Sequence, residues 1–156
     1  MIKIAIQGRE IIDLEHLVLD YNGTLAEDGK LIPGVLPLLH QLSAHLKIHV
    51  ITADTFGTAK EQFNDEEILL TILSNGNQQI QKQRYVESLG KMNAVAMGNG
   101  LNDSDMFKSA ALSVALMQKE GLSTEAMLAS DIICSNIIHA LELLIFPERL
   151  NATLRK

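Results

Sequence analysis

The sequence lacks tryptophan altogether and contains a single cysteine, Cys134, so no disulfide can form within the chain. It has no run of roughly 18 apolar residues, the length that a membrane-spanning helix needs. Its amino terminus lacks the basic start and long apolar stretch of a secretory signal. From these absences we expect a cytoplasmic protein that does not enter a membrane, and we interpret Cys134 as a buried structural thiol.

Basic residues are in the minority, since 13 Lys and Arg stand against 19 Asp and Glu and give a net charge of −6. Sequence-independent binding of nucleic acid depends on a basic surface that neutralises phosphates. Aromatic residues make up 4% of the chain and form no obvious platform for stacking bases. We therefore expect no nucleic-acid partner, and the clustered carboxylates need a different explanation.

The 156 residues, 47% of them hydrophobic, have the size and composition of one globular domain with its own core. Alternating apolar and polar residues predict a small amino-terminal hairpin from Lys3–Ile6 and Ile11–Leu14. After it, short apolar runs typical of strands buried on both faces alternate with helical patterns. The predicted strands are Leu17–Leu19, His49–Ile51, Ile68–Leu73, Ala94–Met97, Leu112–Leu116 and Ile132–Ile133.

Repeated strand–helix units predict a doubly wound α/β fold, a parallel sheet with helices on both faces, because right-handed crossovers place the helices there. The first helix is predicted to begin at Pro33, a residue suited to the first helical position. Between Thr24 and Pro33 there are eight residues, which leaves no room for a cap domain. We therefore predict a single domain over residues 1–156 with no cap.

Ligands of such a sheet bind at the carboxyl ends of its strands, so the residues that follow each apolar run are the candidate site. Asp20–Thr24, Thr52–Asp54 and Gly98–Asp103 follow such runs, and Lys82 lies in a helix between the last two. Together these segments supply a carboxylate nucleophile, a hydroxyl donor, a second acidic group and a cation. Phosphoryl transfer requires this set, because its catalysis is mainly positioning and charge neutralisation.

In this order the segments resemble the haloacid dehalogenase superfamily, which has Asp-x-Asp-Gly-Thr after its first strand, a Ser or Thr after its second, a later Lys and a Gly-Asp-rich acidic segment. The resemblance runs from about Leu17 to Leu144. Within the superfamily, the spacing from Lys82 to Val86 and Leu89, followed by residues 95–103, is similar to the phosphorylation domain of P-type cation-pumping ATPases. The membrane helices and the nucleotide-binding and actuator domains of the pumps have no counterpart, so the resemblance does not imply ion transport.

The resemblance implies a role for each residue at the site. Asp20 would be the nucleophile that becomes an aspartyl phosphate. The backbone amides of the turn at Gly23 and Thr24 would face phosphate oxygens, to which Thr52 would donate a hydrogen bond. Lys82 would neutralise charge on the phosphate and on the nucleophile.

The resemblance also implies a magnesium ion as cofactor, since Mg²⁺ prefers oxygen ligands. Its expected ligands are Asp20, the backbone carbonyl of Asn22, Asn99 and Asp103.

Each of these residues also has a purely structural interpretation. Asn22 and Gly23 form a common tight-turn dipeptide, and Thr52 could cap the next helix. Lys82 lies in a polar helix, where most lysines are solvated, and Lys91 is a rival for its role. Asp103 could favour a helix start electrostatically.

Two positions depart from the pattern of an efficient phosphatase. Asn22 stands where phosphatases of the superfamily have an aspartate that protonates the leaving group and then activates water. An amide cannot transfer that proton, and the loss of general acid–base catalysis typically costs about 10²- to 10⁴-fold in rate. Asn99 stands where the acidic segment usually begins with aspartate, so we expect weakened binding of magnesium.

The sequence thus favours a magnesium-dependent phosphohydrolase or phosphotransferase that acts through an aspartyl phosphate at Asp20, slowed by Asn22. The alternative is a catalytically impaired domain that serves as a regulatory or binding module. The expected partner is a small phosphorylated metabolite or a phosphoprotein. Homo-oligomers are also expected, because a site without a cap stays open unless neighbouring subunits cover it.

Overall fold

The computed structural model describes residues 1–53, 57–63, 67–90 and 92–156. The strands are β1 (Ile2–Ile4), β2 (Ile12–Leu14), β3 (His16–Asp20), β4 (Ala26–Glu27), β5 (Lys30–Leu31), β6 (Lys47–Thr52), β7 (Ile68–Ile72), β8 (Ala94–Gly98), β9 (Leu112–Leu116) and β10 (Ile132–Cys134). The helices are α1 (Val35–Ser43), α2 (Ala59–Gln62), α3 (Gln78–Ser88), α4 (Ser104–Ser109), α5 (Thr124–Ala129), α6 (Ile137–Ile145) and α7 (Glu148–Leu154), with a 3-10 turn at Leu101–Asp103 before α4.

The central sheet is parallel and has six strands in the order β10-β9-β8-β3-β6-β7. Strand β3 lies between β6 and β8 and pairs with both. The chain builds one half of the sheet outward from β3 through β6 and β7, and then returns to build the other half from β8 to β10. This reversal opens a crevice at the carboxyl ends of β3, β6 and β8, where doubly wound sheets bind ligands.

The helices cover both faces of the sheet, which confirms the predicted fold class. Leu17 and Leu19 of β3 face a core that is completed by α1, α6 and α7, whereas Val18 faces a second core completed by α3, α4 and α5. All five residues of β3 are buried, as expected of a strand at the centre of a parallel sheet. Burial of each such Val or Leu side chain contributes roughly 1.5–3 kcal/mol.

Two small hairpins lie outside the central sheet. Strands β1 and β2 form the predicted amino-terminal hairpin, with Ile2 paired to Leu14, although β1 is shorter than the sequence indicated. The hairpin of β4 and β5 was not predicted, because strands of two residues are too short to show alternation. Its signal was the turn Asp28-Gly29, where both residues have positive φ (51° and 76°), as a two-residue hairpin turn requires.

The prediction that the first helix begins at Pro33 is wrong, because α1 begins at Val35. Gly34 has a φ of 89° and a left-handed conformation, which no helical residue can share. Pro33 therefore lies outside the helix.

Between β3 and α1 the chain forms the hairpin of β4 and β5, and the described residues contain no cap domain. Within the same described ranges, none of the helices has both the length and the apolar character needed to cross a bilayer.

Candidate active site

Lys82 joins two aspartates at the carboxyl edge of the sheet. Its Nζ lies 2.6 Å from Oδ1 of Asp20, the last residue of β3, and 2.6 Å from Oδ1 of Asp103, at the end of the 3-10 turn. All three side chains are buried, Lys82 being 1% exposed. The structure thus brings to Lys82 two aspartates that lie 62 and 21 positions from it in the chain.

Helix α3 explains why one lysine of a polar helix is buried. Asn77 caps the helix by accepting a hydrogen bond from the Ile80 N–H at 3.2 Å. Lys82 and Val86 are one turn apart and lie on the same, inward face of the helix. The interpretation of Lys82 as a solvated lysine is therefore wrong, whereas its rival Lys91 lies outside the described residues.

The cluster of Asp20, Lys82 and Asp103 contains more negative than positive charge. Burial raises the pKa of Asp20 to about 6, an effect that Lys82 opposes and the charge of Asp103 reinforces. Burial also disfavours the ammonium of Lys82, but the charges of Asp103 and Asp20 outweigh it and raise the pKa of Lys82. One ammonium therefore serves two carboxylates, and a further cation would relieve the remaining negative charge.

Asp103 is fixed by the loop that follows β8. Its Oδ2 accepts hydrogen bonds from the backbone N–H groups of Asn99 (3.0 Å) and Gly100 (2.8 Å). A Cβ on Gly98 would lie 2.4 Å from the same oxygen, so glycine is required there. Asp103 thus organises its own loop in addition to facing Lys82.

The turn after β3 differs in part from the expectation. The N–H of Gly23 donates to the carbonyl of Ala26 (2.9 Å) and that of Thr24 to the carbonyl of Tyr21 (3.2 Å), so both amides are engaged within the fold. Thr24 enters the site through its hydroxyl, which lies 3.2 Å from Asp20 Oδ2.

Gly23 lets the loop after β8 approach. Its φ is 77°, and a Cβ there would lie 2.4 Å from the side chain of Asn99. Glycine is therefore needed for close approach, not as a donor to phosphate.

Asn22 and Thr52 line the same pocket of about 200 Å³ as Asp20 and Lys82. Oδ1 of Asn22 is buried, and no donor among the described residues reaches it. A buried polar atom without a partner is costly unless a ligand supplies one. Thr52 ends β6 and is 2% exposed, so its position agrees with the prediction.

Asn99 is held in one orientation. Its Nδ2 donates to the carbonyl of Gly121 at 3.0 Å, which turns Oδ1 toward the hydroxyl of Thr24, 3.2 Å away. An aspartate in this position would place an oxygen against the Gly121 carbonyl. Asn99 is therefore integrated into the fold through its amide nitrogen.

The oxygen-rich donor set fits a hard cation. The carboxylates of Asp20 and Asp103 and the unpartnered amide oxygen of Asn22 are ligands that Mg²⁺ prefers, and Asn99 presents a further amide oxygen beside them. In the described part of the chain, no three His, Cys, Asp or Glu side chains are grouped to hold a metal ion. A magnesium ion here would rely on two carboxylates completed by amide and carbonyl oxygens.

Sequence reasoning assigned no role to three amide side chains at the site, although one of them, Asn102, lies within the predicted segment Gly98–Asp103. Gln78 and Asn102 line the pocket and bond to each other at 3.1 Å. Gln118, which lies just after β9, donates to the carbonyls of Gly23 and Thr24. Gln118 follows a predicted strand, so the rule that located the other segments also pointed to it.

A larger pocket, of about 490 Å³, lies between the hairpin of β4 and β5 and the loop after β9. Of the predicted site residues, Gly23 alone borders it. Asp20 and Lys82 line the smaller pocket, which is therefore the candidate active site.

The sequence and the fold are similar to those of known proteins. No protein-family model matches the chain. An uncharacterized protein of Methanocaldococcus jannaschii is 38% identical over 84 residues, which are 51% of this chain and 90% of that protein.

Among solved structures, the cobalt-bound deoxy-D-mannose-octulosonate 8-phosphate phosphatase of Haemophilus influenzae has a TM-score of 0.70 with 11% identity, over 92% of this chain and 94% of that chain. The catalytic domain of a CPx-ATPase has a TM-score of 0.55 with 26% identity, over 75% of this chain and 45% of that chain. Hydrolases of the haloacid dehalogenase family share the fold as well. The chain thus shares the fold of hydrolases of the haloacid dehalogenase superfamily, has no cap domain in its described residues and is similar in sequence to part of the catalytic domain of a CPx-ATPase.

Proposed function

We propose that this chain is a magnesium-dependent phosphohydrolase or phosphotransferase that acts through an aspartyl phosphate on Asp20. The observation that carries the proposal is the contact of one buried ammonium, Lys82, with the carboxylates of Asp20 and Asp103 at 2.6 Å each, in a pocket at the switch point of the sheet. A charge-compensated carboxylate facing a small polar pocket is what nucleophilic attack on a phosphoryl group requires.

The first step is attack of an Asp20 carboxylate oxygen on phosphorus. A bond forms between that oxygen and phosphorus, and the bond to the leaving-group oxygen breaks with its electron pair. Lys82 and the hydroxyl of Thr24 hold the carboxylate, and Lys82 neutralises charge that accumulates during transfer. Asp20, Asp103 and the oxygens of Asn22 and Asn99 would hold a bound magnesium ion, which would further neutralise the charge of the phosphoryl oxygens.

Asn22 determines which leaving groups are accessible. Its amide cannot protonate the departing oxygen, so the proton comes from solvent, or the group leaves as a stable anion. The carboxylate of an acyl phosphate leaves in this way, whereas the alkoxide of an alkyl phosphate does not. In the second step water attacks the phosphoryl group on Asp20 without a general base, so the aspartyl phosphate is long-lived.

The test is phosphorylation of the purified chain by acetyl phosphate with magnesium, followed by intact mass spectrometry, beside turnover of a panel of phosphate esters. We expect a phosphorylated wild type and an unmodified Asp20→Asn variant, with a loss of label when a chelator removes magnesium. Labelling of Asp20→Asn equal to that of the wild type would refute the proposal.

Deamidation is a possible artefact of this test, since both Asn22 and Asn99 precede glycine. The N–H groups of Gly23 and Gly100, whose nitrogens would have to attack the side-chain amides, are bonded to Ala26 and Asp103. Intact mass measured before the assay shows that both amides are present.

A regulatory or binding module is the second candidate. It is favoured by Asn99, whose amide nitrogen is built into the fold at Gly121 instead of being a carboxylate that binds metal. Binding of magnesium and beryllofluoride at Asp20 with no turnover of any ester or acyl phosphate would support this function. In either case the proposed partner is a small phosphorylated metabolite or a phosphoprotein that reaches the pocket.

A further inference from the structure

Gln118 makes three hydrogen bonds with one amide group. Its Nε2 donates to the carbonyls of Gly23 and Thr24, each at 2.9 Å, and its Oε1 accepts from the N–H of Ile137 at 2.7 Å. We propose that Gln118 is a positioning residue that holds the turn after Asp20 against the start of α6. The inference rests on the proposed function of Asp20.

The bonding requires an amide in particular. A glutamate could accept from the Ile137 N–H but could not donate to either carbonyl, and a lysine could donate but not accept. The orientation of the amide is fixed, because two of its partners are acceptors and the third is a donor. Gln118 therefore uses both of its N–H bonds and its oxygen at once.

Gln118 connects the turn to a rigid part of the molecule. Ile137 begins α6 and is fully buried in the larger core. The N–H of Met117 donates to the carbonyl of Cys134 at 2.9 Å, which fixes the backbone just before Gln118. The N–H of Ile137 is among the first of the helix, which have no partner within the helix. Gln118 accepts a hydrogen bond from this N–H and so fixes the turn at Gly23 and Thr24 relative to α6.

The two carbonyls that Gln118 holds belong to residues that shape the site. The Thr24 hydroxyl lies 3.2 Å from Asp20 Oδ2, and Gly23 packs against Asn99. Asn99 is held from its other side by the loop that contains Gln118. Its side chain donates to the carbonyl of Gly121, and its own carbonyl accepts from the N–H of Ser123. Loss of the Gln118 donors would let the turn move away from Asp20 and Asn99 together.

The experiment compares Gln118→Glu and Gln118→Ala with the wild type, and with Gln41→Glu, an exposed glutamine of α1, as control. Hydrogen exchange of the Leu25 and Ala26 amides, which donate to the Tyr21 carbonyl at 2.9 Å, reports on the turn without any ligand. We expect exchange of these amides to be about fivefold to tenfold faster in both Gln118 variants, with the core strands unchanged.

The second measurement is binding of beryllofluoride with magnesium and the rate of phosphorylation by acetyl phosphate. We expect about tenfold weaker binding of beryllofluoride. The maximal rate of phosphorylation should fall by a larger factor than the acetyl phosphate concentration at half of that rate rises, because the turn positions the phosphoryl group in the transition state. The Gln41→Glu control should match the wild type in both measurements.

Unchanged exchange of Leu25 and Ala26 in Gln118→Glu would overturn the proposal, and so would faster exchange with unchanged beryllofluoride binding. If Gln118→Ala unfolds, Gln118→Glu decides alone, since it keeps the shape of the side chain. A wild type that binds no beryllofluoride would refute the proposed function and, with it, the positioning role. Exchange would then still show whether Gln118 holds the turn.

Discussion

Strand β3 ends at Asp20 and begins at His16, and each of these residues belongs to a cluster of polar side chains. Helix α3 contributes one side chain to each cluster. The ion cluster consists of Asp20, Lys82 and Asp103. The histidine chain consists of His16, His49, Tyr85 and Thr71: His16 Nδ1 lies 2.9 Å from His49 Nε2, His49 Nδ1 lies 3.0 Å from the Tyr85 hydroxyl, and Thr71 donates to that hydroxyl at 3.3 Å.

The histidine chain is neutral and largely satisfied. Burial lowers the pKa of His49 to about 4, and the neighbouring His16 and Lys47 add to the effect. Burial also lowers the pKa of His16. With both rings neutral, donors and acceptors alternate from Thr71 to His16, and each hydrogen bond along the chain has one donor and one acceptor.

The ion cluster, in contrast, is incomplete on its own. Two carboxylates share one ammonium, and the buried oxygen of Asn22 beside them has no partner among the described residues. A polar cluster whose hydrogen bonds are all made stabilises the fold without a ligand. A cluster with excess negative charge and an unpaired acceptor is stabilised when a ligand binds. The comparison therefore supports the proposal of ligand binding at Asp20 and favours a structural role for His49.

The strongest way to break the ion cluster is Lys82→Met. The variant leaves the carboxylates of Asp20 and Asp103 buried and facing each other, so we expect a loss of about 3 kcal/mol of unfolding free energy at pH 7.5. Added magnesium should recover part of the loss. Urea unfolding with and without magnesium measures both effects.

Lys108→Met is the matched control, because the side chain of Lys108 is exposed and that of its partner Asp105 is partly exposed. We expect this variant to differ from the wild type by less than about 0.5 kcal/mol. A Lys82→Met protein as stable as the control would mean that the buried carboxylates do not depend on the ammonium.

The site lacks a group that can protonate the leaving group, and Asn22→Asp would introduce one, because a carboxyl group is capable of general acid–base catalysis. We expect hydrolysis of an alkyl ester such as glycerol phosphate to rise about 100-fold, the low end for such catalysis. Release of inorganic phosphate measures it. Asn75→Asp, at an exposed Asn-Gly pair, is the control. Turnover that is equal or lower in Asn22→Asp would contradict the assigned role of Asn22.

The ion cluster could be predicted from the sequence in most of its parts, whereas the histidine chain could not. Asp20 and Thr52 end apolar runs, and Lys82 is four residues from Val86 on a helix, so local patterns locate them. His16 and His49 are 33 residues apart, and their contact depends on the register of β3 against β6 and on the side chains of α3. Local periodicity contains no information about that register.

The roles of amide side chains were the other part that the sequence did not predict. Gln118 and Asn99 act through bonds to backbone carbonyls of distant loops, which depend on the final packing and not on residue type. The turn at Gly23 was located, but its N–H groups were assigned to phosphate because their partners within the turn could not be foreseen. Motifs thus identified which residues meet, and the structure was needed to determine which atoms do.

A smaller effect is expected from acid on the histidine chain. The folded pKa of His49 lies below the unfolded value, so the unfolded state binds more protons as the pH falls. The stabilisation is therefore complete above about pH 6.5 and is lost as the pH falls toward 4. We expect a loss on the order of 2 kcal/mol.

The measurement is the difference in unfolding free energy between the wild type and His49→Gln, followed from pH 7.5 to 4.5. The pKa of Asp20 is shifted in the opposite direction, but Asp20 is present in both proteins, so its contribution cancels in the difference. His40→Gln, an exposed control, should follow the wild type at every pH. A difference that does not change with pH would show that His49 is not held neutral by the fold.

The mildest test of the comparison is Tyr85→Phe, which removes one hydroxyl and keeps the ring that packs edge-on against His49. Because Nδ1 of His49 then loses its partner, we expect a loss of about 1 kcal/mol, equal at pH 7.5 with and without magnesium. Urea unfolding gives the loss, and the ¹⁵N shifts of His49 show which ring nitrogen carries the proton. A loss that magnesium reverses would couple Tyr85 to the ion cluster and contradict the separation of the two groups. If magnesium restores unfolding free energy in Lys82→Met and has no effect on it in Tyr85→Phe, the response to the metal belongs to the ion cluster at the carboxyl end of β3.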